Sequence, residues 1–291
     1  MTCDWNSQTV YFSANDTITL FPAHHHYRQL HTFIQSREPI PSSPLECRNT
    51  FWGRNAVTYS IPTGNQSELQ WFEISEAVSK RFDQEFQNKK SDLPDEVQAL
   101  PIFLDWQSGK LQNRVTSQFW ELVKPKKNQR CLDIGCGISF LIYPWRDWNA
   151  YFYGHDISKV ATEIIQSRAP QLNSKLFKNI SNKPAHHLEE YDKDFFDVAI
   201  ATGFSCYYPI EYWEVVLEQV QKILKPGSFF VFDVINPEAD IAEDWSIIET
   251  YLGTEVFLED LSDWQALIKK SGAKITKQSE GELFQMFKIR W

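Results

Sequence analysis

The chain has 291 residues, 42% hydrophobic and 23% charged, enough for one large domain or a core with a substantial appendage and unlike a low-complexity polypeptide. Its formal net charge of −9 leaves no overall basic footprint to neutralise phosphates, which argues against a nucleic-acid substrate. Five cysteines (Cys3, Cys47, Cys131, Cys136, Cys206) form no Cys-x-x-Cys pair, the N-terminus lacks a basic-then-apolar leader, and no run approaches 18 consecutive apolar residues. The expectation is a reduced, cytoplasmic protein without a membrane span.

Up to about residue 127 the texture is irregular. Short β-like runs (TVYFS, TITLF, AVTYS) fall within residues 8 to 21 and 55 to 61, separated by Asn, Pro and Gly. Ser67 opens SELQ, a capping-box-like start. Trp71, Ile74, Val78, Phe82 and Phe86 follow at steps of three and four, which predicts an amphipathic helix over roughly residues 67 to 89. Leu111, Val115, Phe119 and Leu122 share one helical face and predict a second helix over about residues 105 to 123, ended by the run from Lys124 to Gln129.

From Arg130 onward, strand and helix patterns alternate. CLDIG, YFYGHD, KLFKNI, FFDVAIATGF and FFVFDVI read as strands, the fourth apolar enough to be buried on both faces. KVATEIIQSRA reads as a helix. YWEVVLEQVQKIL is another, with Trp213, Leu217, Val220 and Leu224 on one side and KPGS as its stop. The chain closes with a helix capped by Ser262 and two strands joined by a tight SEGE turn. This order predicts a doubly wound α/β fold: a mostly parallel seven-stranded sheet, a C-terminal antiparallel hairpin and an N-terminal α+β extension. Such sheets bind ligands at the carboxyl ends of their strands.

The first strand ends in Asp133-Ile-Gly135-Cys-Gly137. Glycines there let backbone turn sharply and approach a ligand without a Cβ in the way, although a plain strand-to-helix turn would need them too. Asp156 ends the second strand, 23 residues after Asp133, where a carboxylate accepts hydrogen bonds from vicinal ribose hydroxyls or caps the following helix. A dinucleotide turn wants a third glycine where Phe140 stands, and a pyrophosphate would be repelled by Asp133. An ammonium and sulfonium cofactor tolerates that carboxylate. An NAD-dependent oxidoreductase is therefore the less favoured alternative.

Taken in order, CLDIGCGIS, GHDIS, FDVAIATGF and ILKPGSFFVFDV resemble the motif set of class I S-adenosylmethionine-dependent methyltransferases over roughly residues 128 to 291. The resemblance implies a Rossmann-like methyltransferase core binding S-adenosylmethionine. Asp133, Gly135 and Gly137 would lie along its methionine part, Asp156 would hold the ribose and Ile157 would pack on adenine. Asn179 or Asn182 would meet the adenine edge, and residues from Thr202 to Pro209 would border the reacting methyl. Where the family often has another glycine, Ser139 stands instead.

The segment after the fourth strand lacks the motif of the family's amino-group methylases of adenine and glutamine and that of its cytosine-C5 methylases, and Asp233 and Asn236 are not spaced as a catechol-type metal pair. The expectation is metal-independent transfer to a small, apolar or aromatic acceptor. Tyr207 and Tyr208 are the candidate orienting groups, with buried packing as their alternative role. Residues 1 to 127 would form a lid and acceptor pocket over a core of residues 128 to 291, with Trp71, Trp106, Phe119 and Trp120 as candidate lining. The run His24-His25-His26, with His31 nearby, matches no zinc spacing and reads as a loop. A protein that binds the cofactor without transferring a methyl group is the remaining alternative.

Overall fold

The computed structural model describes residues 66–89, 91–108 and 110–291; the strands expected before residue 62 and the histidine run lie outside the described residues. Seven strands form one sheet in the order β3-β2-β1-β4-β5-β7-β6. They are β1 (Arg130–Ile134), β2 (Tyr151–Asp156), β3 (Phe177–Asn182), β4 (Phe196–Ala201), β5 (Leu224–Ile235), β6 (Lys274–Glu280) and β7 (Phe284–Arg290). The first five pair in parallel. β7 joins β5 antiparallel, and β6 closes the edge on β7.

The period-two pleat explains the two-faced core. In β4, Ala199 and Ala201 enter one apolar cluster while Val198 and Ile200 enter the other. β5 divides likewise, with Phe230, Phe232 and Val234 on one side and Val231 opposite. One face is covered by α3 (Ile210–Ile223), through Val216, Leu217 and Val220. The other is covered by α2 (Lys159–Asn173), through Ile165 and Ala169. Burying a large apolar side chain of this kind contributes roughly 1.5–3 kcal/mol, so losing either cover would unfold the sheet.

The first long helix, α1 (Gln66–Phe86), matches the spacing of its apolar residues. It crosses the carboxyl end of the sheet and is tied there by side chains. The Ser79 hydroxyl donates to the Ile157 carbonyl at 3.0 Å. Asp83 Oδ1 accepts from the Ser158 hydroxyl at 2.6 Å and the Val160 amide at 3.0 Å, so α1 helps to cap the start of α2.

Three local expectations need correction. Residues 105 to 123 are not one helix but Pro101–Gln107, Lys110–Val115 and a 3-10 turn at Phe119–Glu121. Leu111 and Val115 pack in one apolar cluster whereas Phe119 and Leu122 pack in the cluster on the opposite sheet face, a division that one straight helix cannot span. At the last long helix, α5 (Leu261–Lys270), the N-cap is Asp260, so Ser262 stands inside the first turn. Between β5 and α5 lies α4 (Ala242–Leu252), which the strand and helix patterns above did not pick out. Its first turn carries Glu243 and Asp244, and Gly253 ends it in the left-handed region at φ 105°.

Candidate functional site

At the carboxyl end of β1 the backbone turns left-handed twice, at Gly135 (φ +66°) and Gly137 (φ +47°). A Cβ on Gly135 would lie 2.5 Å from Cδ1 of Phe204, and one on Gly137 would lie 3.2 Å from Cζ of Phe86. The left-handed backbone favours glycine at both positions, and at Gly135 the space demands it as well. The turn is pinned to β2: the Gly135 amide donates to the His155 carbonyl at 2.7 Å, and the Gly137 amide donates to Asp156 Oδ2 at 2.7 Å. The other oxygen of Asp156 accepts from the Ser158 amide at 2.7 Å. Burial raises the Asp156 carboxyl to about 6, against those two amide bonds.

Asn182 holds this corner from below, its amide donating to the carbonyls of Asp156 and Ile157. Asn179 and Asn182 are both exposed and line neither cavity described below, and only Asn182 bonds to this corner. The strand alternation turns the Asn179 side chain away from the corner that Asn182 serves.

Asp133 is buried behind the turn and lines neither cavity. The Ser139 hydroxyl donates to its Oδ2 at 2.5 Å, so the residue that replaces a glycine satisfies the buried carboxylate. Burial raises the Asp133 carboxyl to about 7. Phe140 packs on Phe152 at 5.0 Å and is itself buried, filling the place where a dinucleotide turn needs glycine.

Two adjoining cavities open from this turn. The first, about 210 Å3, is bounded by Gly135, Gly137, Asp156, Ile157, Ala185 and Tyr208. The second, about 230 Å3, is bounded by Ser139, Tyr143, Tyr207, Asp233, Trp245 and the buried cluster Arg81, Glu85 and Glu249. Thr202 and Gly203, at the end of β4, line both, and Phe82 and Phe86 from α1 cover both.

Both tyrosines are buried. Tyr207 meets Phe82 edge-on at 5.5 Å. Tyr208 stacks on Tyr212 at 4.0 Å, with its hydroxyl 3.3 Å from Ser75 Oγ. Burial pushes the Tyr208 phenol up to about 12 and Tyr207 well above its usual range, so each keeps its proton at neutral pH. Asp233, raised to about 6 by burial, accepts from the Ser117 hydroxyl at 2.5 Å and the Gly203 amide at 2.8 Å.

None of Trp71, Trp106, Phe119 and Trp120 lines either cavity. Trp71 packs edge-on against His186 and Tyr212, and Trp106 lies tilted against Phe103. Phe119 and Trp120 belong to an aromatic cluster with Tyr143 and Trp148 in the core of the opposite sheet face. The walls come instead from Phe82, Phe86, Tyr143 and Trp245, and the charges from Arg81, Glu85 and Glu249, which sequence reasoning missed. Ser75, Val78, Phe82 and Glu85 recur at steps of three and four, and Arg81 is buried on the same stripe. A charged pair within that stripe was the available signal.

A family model described as a methyltransferase domain matches residues 106–278. Over 117 residues the chain is 29% identical to the sterol 4-C-methyltransferase strm-1 of Caenorhabditis elegans, covering 40% of this chain and 34% of that protein. The match thus spans about a third of that relative's length. Geranyl diphosphate C-methyltransferase from Streptomyces coelicolor, solved with Mg2+, geranyl diphosphate and S-adenosyl-L-homocysteine, aligns with a TM-score of 0.54 and 10% identity over 74% of this chain and 97% of that one. Magnesium protoporphyrin IX methyltransferase from Synechocystis, solved with S-adenosylhomocysteine, aligns with a TM-score of 0.52 and 14% identity over 74% and 98%.

Proposed function

We propose, for a chain that belongs to the class I S-adenosylmethionine-dependent methyltransferase family, that it methylates a small, apolar or aromatic metabolite without a metal ion. The observation that carries this is the pair of cavities meeting at Thr202 and Gly203, one beside a ribose-competent carboxylate and one walled by aromatic rings.

The residues present fit S-adenosylmethionine in the first cavity. The glycine turn offers backbone without Cβ atoms, Asp156 offers carboxylate oxygens to vicinal hydroxyls, and Ile157 offers an apolar face to adenine. The cofactor supplies a methyl group on a sulfonium centre. Thr202 and Gly203 would border that centre, and the second cavity would hold the acceptor in line with it.

The walls Phe82, Tyr143, Tyr207 and Trp245 favour an apolar or aromatic acceptor, in keeping with the sterol methyltransferase likeness. The reading of metal independence rests on the sequence, where Asp233 and Asn236 are not spaced as a catechol-type metal pair. The proposed lid over residues 128 to 291 includes α1, whose Phe82 and Phe86 line both cavities, and Val115, Thr116 and Ser117, which line the second. Closing the site in this way excludes water from the transfer.

Incubation with methyl-labelled S-adenosylmethionine and a deproteinised metabolite extract tests the proposal. The label should appear in one small molecule. Transfer only to protein or nucleic acid, or none from any extract, would reject it.

A further inference from the structure

With the second cavity taken as the acceptor's, as proposed above, the charges around it define the acceptor's chemistry. Arg81 is buried, and each of its guanidinium nitrogens already donates to a carboxylate. Nε and Nη2 reach the two oxygens of Glu249 at 3.2 Å each, and Nη1 donates to Glu85 Oε2. Glu249 is fully buried and spent on this bidentate pair. Among the described residues Arg81 is the sole cationic side chain lining this cavity.

One guanidinium therefore faces two glutamates, and Asp233 adds a third carboxylate to the same cavity. The lining carries excess negative charge in a poorly solvated space, where such an excess is costly unless a cation meets it. An anionic acceptor finds no free positive partner there and would be repelled. Glu85 is the cavity carboxylate with a whole oxygen open: Oε2 takes Arg81, and Oε1 has no hydrogen-bond partner among the described residues. The rings of Phe82, Tyr207 and Trp245 line the same space, and Phe82 already carries the Arg81 guanidinium 5.2 Å from its centroid.

We propose that the acceptor is an amine with an apolar or aromatic body, bound as its ammonium against Glu85, and that Glu85 takes the proton whose loss readies the nitrogen for methylation. One N–H bond breaks, its electron pair stays on nitrogen as the lone pair, and the proton forms an O–H bond at Glu85 Oε1. The acid so formed returns its proton to water, for which the 20% exposure of the Glu85 side chain leaves a route. Burial raises the Glu85 carboxyl above its ordinary range, which makes it the better proton acceptor.

The test is calorimetric titration of the full chain, saturated with S-adenosylhomocysteine, with three probes of one shape: 3-phenylpropylamine, 3-phenylpropanol and 3-phenylpropanoate. The amine should bind about tenfold tighter than the alcohol, the advantage of a charge-assisted contact, and the carboxylate should not bind. In Glu85→Gln, amine and alcohol should bind alike while S-adenosylhomocysteine affinity is kept. A carboxylate that binds as tightly as the amine, an amine that does not bind, or a preference that survives Glu85→Gln overturns the proposal. If Glu85→Gln does not fold, the ranking of the probes on the wild type decides alone. Failure of S-adenosylhomocysteine itself to bind would reject the cofactor assignment, a different and distinguishable result.

Discussion

The amide of Gly137 donates to Oδ2 of Asp156 at 2.7 Å, so the glycine turn after β1 and the carboxylate after β2 are joined before any ligand arrives. Each oxygen of Asp156 spends one acceptor position on a backbone amide and keeps another. Positioning and ligand binding thus fall to one side chain. Asp156→Ala is expected to weaken S-adenosylhomocysteine binding by roughly 1–3 kcal/mol, the cost of a lost hydrogen bond to a charged group, as read by calorimetry.

The same carboxyl sets a pH dependence. Held at about 6, it is protonated in mild acid and has lost acceptor capacity there. Affinity for S-adenosylhomocysteine should therefore rise from pH 5 to pH 7.5, and Asp156→Asn should flatten that rise. A wild-type affinity that is constant over this range would remove Asp156 from the contact.

Gly135→Ala places a methyl group 2.5 Å from the Phe204 ring in a left-handed backbone region. Both effects act in the same direction, so thermal unfolding should show a loss of more than about 1 kcal/mol. Adding Phe204→Leu should recover part of it by removing the collision, and the remainder measures backbone strain.

Arg81→Met leaves Glu249, fully buried, without its counter-ion. Removing one member of a buried pair costs roughly 3–5 kcal/mol, and Arg81→Met combined with Glu249→Gln should recover much of that in denaturant unfolding. Additive losses in the double variant would show that the pair is not coupled.

Asp133 supplies a stability signature. Its carboxyl is raised to about 7 when folded, so the folded chain keeps a proton that the unfolded chain has lost between about pH 4 and 7. Stability from this group is complete below the unfolded value and lost as pH rises through about 7. Asp133→Asn does not titrate, so its stability relative to wild type should increase from pH 5 to pH 8. Thermal midpoints across that range read the trend.

The parallel sheet and the glycine turn were legible because their signals are local. Apolar runs of strand length, Gly135 and Gly137, and Asp156 at a strand end each announce themselves within a few residues. The acceptor walls were not, because they are assembled from distant segments. Glu249 reaches Arg81 across 168 residues, and Ser117 reaches Asp233 across 116. Trp71 and Phe119 looked eligible as large aromatics near the site in sequence, yet Trp71 packs against the core and Phe119 is buried within it. Ser139 stands where the family often has glycine, and its bond to Asp133 is not visible in the local pattern.

The central claim is that the turn at Gly135 and Gly137 and the carboxylate of Asp156 form a sulfonium-cofactor site. Calorimetric titration of the full chain with S-adenosylmethionine, S-adenosylhomocysteine and NAD tests it most directly. Both sulfur ligands should bind at one site and NAD should not; binding of NAD with neither sulfur ligand would contradict it.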